Sequence, residues 1–183
     1  MAKTARTAAM AMAAAAILAA PRASAAADAL VAAAAAVRHV RSSNPALVIV
    51  MQHASERSAT FRGIVAAIDA SDSIVFVEEG NCGHGVRACF VDLAAGGTNR
   101  YMRVIVDTRK ADWDLMGSIG HELRHTLEVI GEPGVRDNHA RYFFYERIAV
   151  HGASGACETQ AAIDAGNTVR SEVRKSNQQA KSE

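Results

Sequence analysis

The segment GHELRH, residues 120–125, carries the pattern HExxH and lies within a longer segment of helical apolar periodicity. That segment, Trp113–Ile130, stops at the GEPG sequence of residues 131–134, so it is predicted to be one helix. Residues four apart lie on one face of a helix, with their Cβ atoms roughly 6 Å apart. His121 and His125 can therefore converge on one metal ion.

Glu122 can act beside such an ion without binding it, because one residue step turns about 100° around the helix. Its carboxylate can reach a water on the metal. Zinc lowers the pKa of such a water towards about 7, and Glu122 would accept its proton and deliver it to the leaving amine. The motif therefore predicts Zn²⁺ as the cofactor and Glu122 as the catalytic residue of a hydrolase.

The predicted helix places its histidines opposite its apolar face. The apolar face comprises Leu115, Met116, Ile119, Leu123, Leu127 and Ile130. His121, His125 and Glu128 form the opposite stripe, so the helix can be anchored to a core while its ligands face a cleft. Gly117 and Gly120 each cost about 1 kcal/mol relative to alanine inside a helix, which indicates that another backbone lies close.

A catalytic zinc usually has three protein ligands and one open position, and three downstream glutamates compete for the third place. Glu128 is offset from His121 by about 10 Å along the helix axis. It is therefore expected to support the site rather than to bind the metal. Glu146 and Glu158 belong to later predicted helices, and the spacing alone leaves both as alternatives.

Three strands are predicted before this helix, at Ser73–Glu79, Val86–Leu93 and Tyr101–Asp107. Their residues are enriched in β-branched and aromatic types, as strands are. Short glycine-containing turns join the three strands, which favours an antiparallel meander.

Four further helices are predicted, at residues 26–41, Ser58–Ala70, Asn138–Val150 and Glu158–Arg174. The serine that starts the second of these is a suitable N-cap. Periodicity assigns the short apolar run Leu47–Met51 equally to a strand or to a buried helix. The order of elements predicts an α+β fold, with a small antiparallel sheet that precedes the HExxH helix and two C-terminal helices.

The first 25 residues have the organisation of a signal peptide. Lys3 and Arg6 form a positive n-region, residues 8–20 form an apolar run, and residues 23–25 read Ala-Ser-Ala, a small-x-small cleavage site. The apolar run is shorter than the roughly 20 residues that span a bilayer. Residues 1–25 are therefore predicted to be removed rather than to remain as an anchor.

The protein is thus expected to be exported, either periplasmic or secreted, with no stable membrane span after cleavage. Residues 26–174 are predicted to form one domain, and the polar residues 175–183 a disordered tail. The formal net charge is +1, so no basic excess points to a nucleic-acid partner.

Export places the cysteines in an oxidising compartment. Cys82 and Cys89 lie close in sequence around a Gly-His-Gly turn, which favours a disulfide that closes a short loop. The alternative is a metal site formed with His84, but this spacing matches no common zinc pattern. Cys157 is left without a partner in either interpretation.

HExxH followed by a glutamate on a later helix resembles the gluzincin metallopeptidases. In several gluzincin groups the ligand glutamate begins a helix with the pattern E-x-x-A, which Glu158 and Ala161 match and Glu146 does not. The resemblance covers roughly residues 74–173, and it extends to small exported bacterial proteins that combine GHELxH with a later ETxAA. It implies His121, His125 and Glu158 as the zinc ligands.

The resemblance also implies a zincin-like fold, in which an edge strand binds an extended peptide by strand addition. Tyr101–Asp107 would be that edge strand, and a peptide or protein would be the substrate. Two residues depart from the gluzincin pattern: Ala162 stands where an acid or amide is expected, and Arg124 where an uncharged residue is usual. These departures and the small size support an alternative, a catalytically inactive zincin-fold binding protein of the cell envelope.

Overall fold

The computed structural model describes residues 38–83, 85–150, 158–180 and 182. The predicted signal peptide, most of the predicted helix at 26–41, His84 and Cys157 lie outside the described residues. The elements in chain order are β1 (Val40–Arg41), α1 (Pro45–Arg57), α2 (Ala59–Asp69), β2 (Ser73–Glu79), β3 (Ala88–Gly96), β4 (Asn99–Val106), α3 (Trp113–Ile130), α4 (Asn138–Ile148) and α5 (Gln160–Gln179).

Side-chain caps define where the first two helices begin. Asn44 accepts a hydrogen bond from the N–H of Ala46 at the start of α1, so the apolar run Leu47–Met51 is helical. Ser58 Oγ accepts from the Phe61 N–H at 2.9 Å, which confirms Ser58 as the cap of α2. The helix predicted to reach residue 41 does not do so, because the chain pairs there as β1 with β2.

The sheet is mixed, with the strand order β1-β2-β4-β3. The predicted antiparallel meander is therefore wrong. β2 and β4 pair in parallel from Ser73↔Arg100 to Glu79↔Val106, and only β3 and β4 form an antiparallel hairpin. The strand predicted as the edge, Tyr101–Asp107, corresponds to β4 and is interior, whereas β1 and β3 are the edge strands.

The connection from β2 to β3 is bonded to β4 at both of its ends. It passes the end of β4 and bonds to it on both sides: the Gly80 N–H donates to Val106 O, and the Asp107 N–H donates to Arg87 O. β4 can then use both of its edges for pairing. Short glycine-containing turns predicted neighbouring strands, but strand order depends on such long-range bonds, which periodicity does not encode.

Sheet and helices share one apolar core. Its largest fully buried side chains include Leu47, Phe61, Ile68, Val75, Met102, Val104, Leu115, Ile119 and Leu123. Three of these lie on the predicted apolar face of α3, each worth about 1.5–3 kcal/mol when fully buried. α3 is therefore anchored to the core along the side opposite to its histidines.

Arg100 of β4 fastens the C-terminal end of α3 to the sheet. Arg100 is 3% exposed. Its guanidinium donates to the carbonyl oxygens of Val129 and Ile130, and to Asp72 Oδ1 at 2.8 Å. A cation at a helix C-terminus interacts favourably with the helix dipole. The hydrogen bond from Arg100 also lowers the pKa of Asp72 below its usual value, so the pair is charged.

Helix α5 crosses α3 where both helices carry glycines. The close neighbour that was predicted from Gly117 and Gly120 is therefore α5. A Cβ at Gly120 would lie 3.0 Å from Val169 Cγ2, and one at Gly166 would lie 3.0 Å from His121 Cβ and 3.1 Å from Gly117 O. Three glycines thus permit an approach that side chains would prevent. Across the described parts of the chain, no helix is long and apolar enough to cross a membrane.

The last helix is longer than predicted, since α5 continues from the expected end at Arg174 to Gln179. Val173 is fully buried and the Arg174 guanidinium stacks on the Trp113 ring at 4.6 Å. No glycine or proline follows Arg174 before the helix ends, so the helical conformation extends past the last packed residues.

Gly166→Ala is expected to lower the free energy of unfolding by about 1–3 kcal/mol, because the added methyl overpacks the contact with His121 and Gly117. Gly63→Ala is the matched control: Gly63 is also inside a helix, but nothing lies within 4 Å of its Cβ position. It should be stabilising by about 0.5–1 kcal/mol. Urea unfolding compares the two, and equal stability of the variants would contradict the close contact.

Candidate metal centre

Three side chains from two parts of the chain meet at one point. His121 and His125 project from α3, and Glu158 lies just before the start of α5. His121 Nε2 is 3.1 Å from His125 Nε2 and 2.9 Å from Glu158 Oε2, and His125 Nε2 is 3.9 Å from the same oxygen. This group could hold a metal ion.

The spacing of the three atoms fits a tetrahedral ion. Ligands at about 2.0–2.1 Å from a tetrahedral zinc are separated from one another by about 3.4 Å, and the three observed distances lie around this value. Glu158 Oε2 is buried and accepts no aligned hydrogen bond, although it lies close to His121 Nε2. A cation between the three atoms would satisfy this oxygen. Two imidazoles and a carboxylate suit zinc and also other divalent metals.

Glu128 orients one of the two imidazoles. Its Oε2 is 3.0 Å from His125 Nδ1, and its Oε1 accepts a 2.6 Å hydrogen bond from Thr159 Oγ1. A proton on Nδ1 leaves the lone pair of Nε2 to face the ligand cluster, which is the common arrangement around metal-binding histidines. Glu128 therefore supports His125 from behind and is not one of the three converging ligands.

The hydrogen bond between Thr159 and Glu128 also fixes the position of Glu158. Thr159 caps α5, because its Oγ1 also accepts from the Ala162 N–H at 3.1 Å. The Glu158 carbonyl accepts from the Val150 N–H at 2.7 Å, which holds the backbone on the other side. Of the predicted alternatives for the third ligand, Glu146 is exposed on α4 and lies outside the cluster.

The electrostatics of the cluster favour positive charge between the imidazoles. Burial alone would lower the pKa of His125, but the hydrogen bond to Glu128 and the nearby carboxylate of Glu158 outweigh it and raise that pKa to about 9. The close approach of the His121 and His125 imidazoles holds the pKa of the Glu158 carboxyl well below its usual range. A divalent cation would supply the same charge, with neutral histidines as its ligands.

Glu122 lies beside the cluster and is only 8% exposed. Its Oε2 accepts a 2.8 Å hydrogen bond from the Phe90 N–H of β3, and its Oε1 is 3.9 Å from His121 Nε2. Burial raises the pKa of Glu122 to about 7, against the opposing effect of the two histidines. A carboxyl group with a pKa near neutral can both accept and return a proton.

Helix α4 covers the other side of the site. Tyr145 Oη donates to the backbone carbonyl of His125 at 2.9 Å, and its ring packs edge-on against the imidazole at 5.3 Å. Arg141 donates to Phe90 O at 2.8 Å and to Val91 O at 3.1 Å. Phe90, Arg141 and Thr159 also belong to the site, and the HExxH motif does not predict them. The four-residue spacing of Arg141 and Tyr145 on one helix is a sequence signal for the Arg141 contact.

A cavity of about 330 Å³ opens beside Glu122, His125 and Glu158. The disulfide predicted between Cys82 and Cys89 is present and forms part of its wall. A disulfide is consistent with the expected oxidising compartment. The alternative metal site with His84 involves a residue outside the described part of the chain.

No family model matches the chain, and comparisons with curated proteins and with solved structures also give no match.

Glu128→Ala is expected to weaken zinc binding by about 10–100-fold, because His125 loses the partner that orients its ring. Glu146→Ala is the matched control, since it removes an exposed glutamate from outside the cluster and should leave the affinity unchanged. Competition with a chromophoric zinc chelator measures both. If Glu146→Ala weakened zinc binding and Glu128→Ala did not, Glu146 rather than Glu128 would be the residue that supports the site.

Proposed function

We propose that this protein is a zinc-dependent hydrolase of the gluzincin metallopeptidase type, which cleaves peptide bonds. One observation carries the proposal: a buried glutamate lies against a His-His-Glu cluster and borders the same cavity. A purely structural metal site would need neither the buried acid nor the cavity, because structural sites are closed by four protein ligands.

Zinc bound by His121, His125 and Glu158 would acidify a water and polarise the substrate carbonyl. Glu122 would then accept the proton of the attacking water. Its Oε2 is held by the Phe90 N–H, so Oε1 is the oxygen that faces the ligand cluster. The protonated carboxyl would return the proton to the leaving amine, which general acid–base catalysis requires.

The proposed setting of this activity is outside the cytoplasm. Residues 1–25 have the pattern of a signal peptide. The Cys82–Cys89 disulfide supports an oxidising compartment, because disulfides persist mainly in exported proteins.

A second candidate function is a zincin-fold binding protein without turnover. Side chains of α4 already bond the edge strand next to the site, at the carbonyls of Phe90 and Val91 and at the Leu93 N–H. A peptide that pairs with this strand would have to displace them. This observation favours a protein that binds its partner by contacts other than strand addition. A test of turnover separates the two candidate functions.

Glu122→Gln is expected to keep zinc at the wild-type stoichiometry and to lower turnover by about 10²–10⁴-fold, because the amide cannot accept the proton. The amide oxygen can still accept from the Phe90 N–H, so the fold should be preserved. Glu132→Gln, a change to an exposed glutamate, is the control. Cleavage of a quenched fluorescent peptide library measures turnover.

Full activity of Glu122→Gln would contradict the mechanism. A zinc-loaded wild-type protein that cleaves no peptide in the library would instead favour the binding protein.

A further inference from the structure

The edge strand β3 offers few unoccupied backbone groups beside the metal centre. Both outward groups of Phe90 are bonded: its N–H donates to Glu122 Oε2, and its carbonyl accepts from Arg141. These are the two groups that an added strand would need at this position, because a strand added at an edge pairs through the outward N–H and C=O.

Backbone groups further along β3 are also bonded to side chains. The strand is irregular between Phe90 and Asp92, and there the Val91 carbonyl accepts from Arg141. The Leu93 N–H donates to Asn138 Oδ1 at 2.9 Å, while Asn138 Nδ2 donates to Asp92 Oδ1 at 2.6 Å. We call Asn138 and Arg141, the two α4 residues that bond β3, the brace.

The brace is part of a packed helix. Phe144 and Tyr145 of α4 are buried, and Tyr145 Oη bonds the backbone of His125. The Arg141 guanidinium also lies over the Phe90 ring, 4.5 Å from its centroid. Displacing the brace would therefore break hydrogen bonds and a stacking contact at the same time.

The space that remains beside the centre is the cavity of about 330 Å³. This volume is at the lower end of the roughly 300–1,000 Å³ found for small-molecule pockets. The described residues that line it away from the metal centre are mainly apolar, and they include Val86, Ala88, Phe90 and Tyr142. Val86 and Tyr142 are about half exposed, at 50% and 54%, so they form its rim.

We propose that the site takes a short apolar peptide or amino-acid amide within this cavity, and that it does not bind an extended polypeptide along β3. The inference rests on the proposed function for the chemistry at the scissile bond. It rests on the brace and the cavity for the size and polarity of the substrate.

The test compares two ligands on the zinc-loaded full chain carrying Glu122→Gln, in which turnover is expected to be at least about 100-fold slower. One is a blocked Leu-Leu dipeptide amide, and the other is a decapeptide with the same Leu-Leu pair flanked by alanines and glycines. Isothermal titration calorimetry measures both affinities. The decapeptide is expected to bind no tighter than the dipeptide, because the brace occupies the backbone groups of β3 with which the flanking residues of the decapeptide would pair.

Asn138→Ala, in the same background, removes the partner of the Leu93 N–H. Decapeptide binding should then tighten by up to about tenfold, as one or two recovered backbone hydrogen bonds allow, while dipeptide binding stays unchanged. Asn167→Ala, which changes an exposed asparagine of α5, is the control and should alter neither affinity.

A decapeptide that binds about tenfold tighter than the dipeptide before Asn138 is changed would overturn the inference. So would binding of neither ligand, or no effect of Asn138→Ala. Turnover by the wild-type chain reports separately on the proposed function. If the dipeptide binds as expected but wild type cleaves nothing, the hydrolase proposal fails and the size preference stands.

Discussion

The close contact of α5 with α3 is the constraint on which the metal centre depends. Gly166 lies against His121 and Gly117, so the two helices approach more closely than side chains would permit. That approach brings the start of α5, with Glu158 just before it, to the imidazoles of α3. The apolar face of α3 and the Arg100 contact at its end hold the same helix against the core and the sheet.

The ligand residues are linked to one another behind the site. Glu128 bonds both His125 and Thr159, and Thr159 caps α5 next to Glu158. One carboxylate therefore holds the ligand His125 of α3 and the residue next to Glu158 at the start of α5, and a shift of α5 would disturb both contacts. Glu122 is held independently, through β3 and the Phe90 N–H. The proposed proton carrier and the two histidine ligands share α3, but their side chains are fixed by different partners, the Phe90 N–H of β3 for Glu122 and the Glu128 carboxylate for His125.

Local patterns predicted much of this arrangement, and long-range bonds account for what they missed. Apolar period and stop signals placed α3 at its observed bounds, and the glycines within it indicated a close neighbour. Glu158 was distinguished from Glu146 only by resemblance. The position of β4 between β2 and β3 was not predicted, because the periodicity of a strand does not encode which strands it pairs with. Arg141 contacts backbone carbonyls, which no side-chain motif records.

The proposed metal centre requires that His121, His125 and Glu158 together bind one metal ion. The most direct measurement is metal content by mass spectrometry of the purified full chain after zinc loading and exhaustive dialysis, alongside His121→Ala. We expect one zinc per chain in the wild-type protein and none in the variant. No zinc in the wild type, or equal zinc in both, would contradict it.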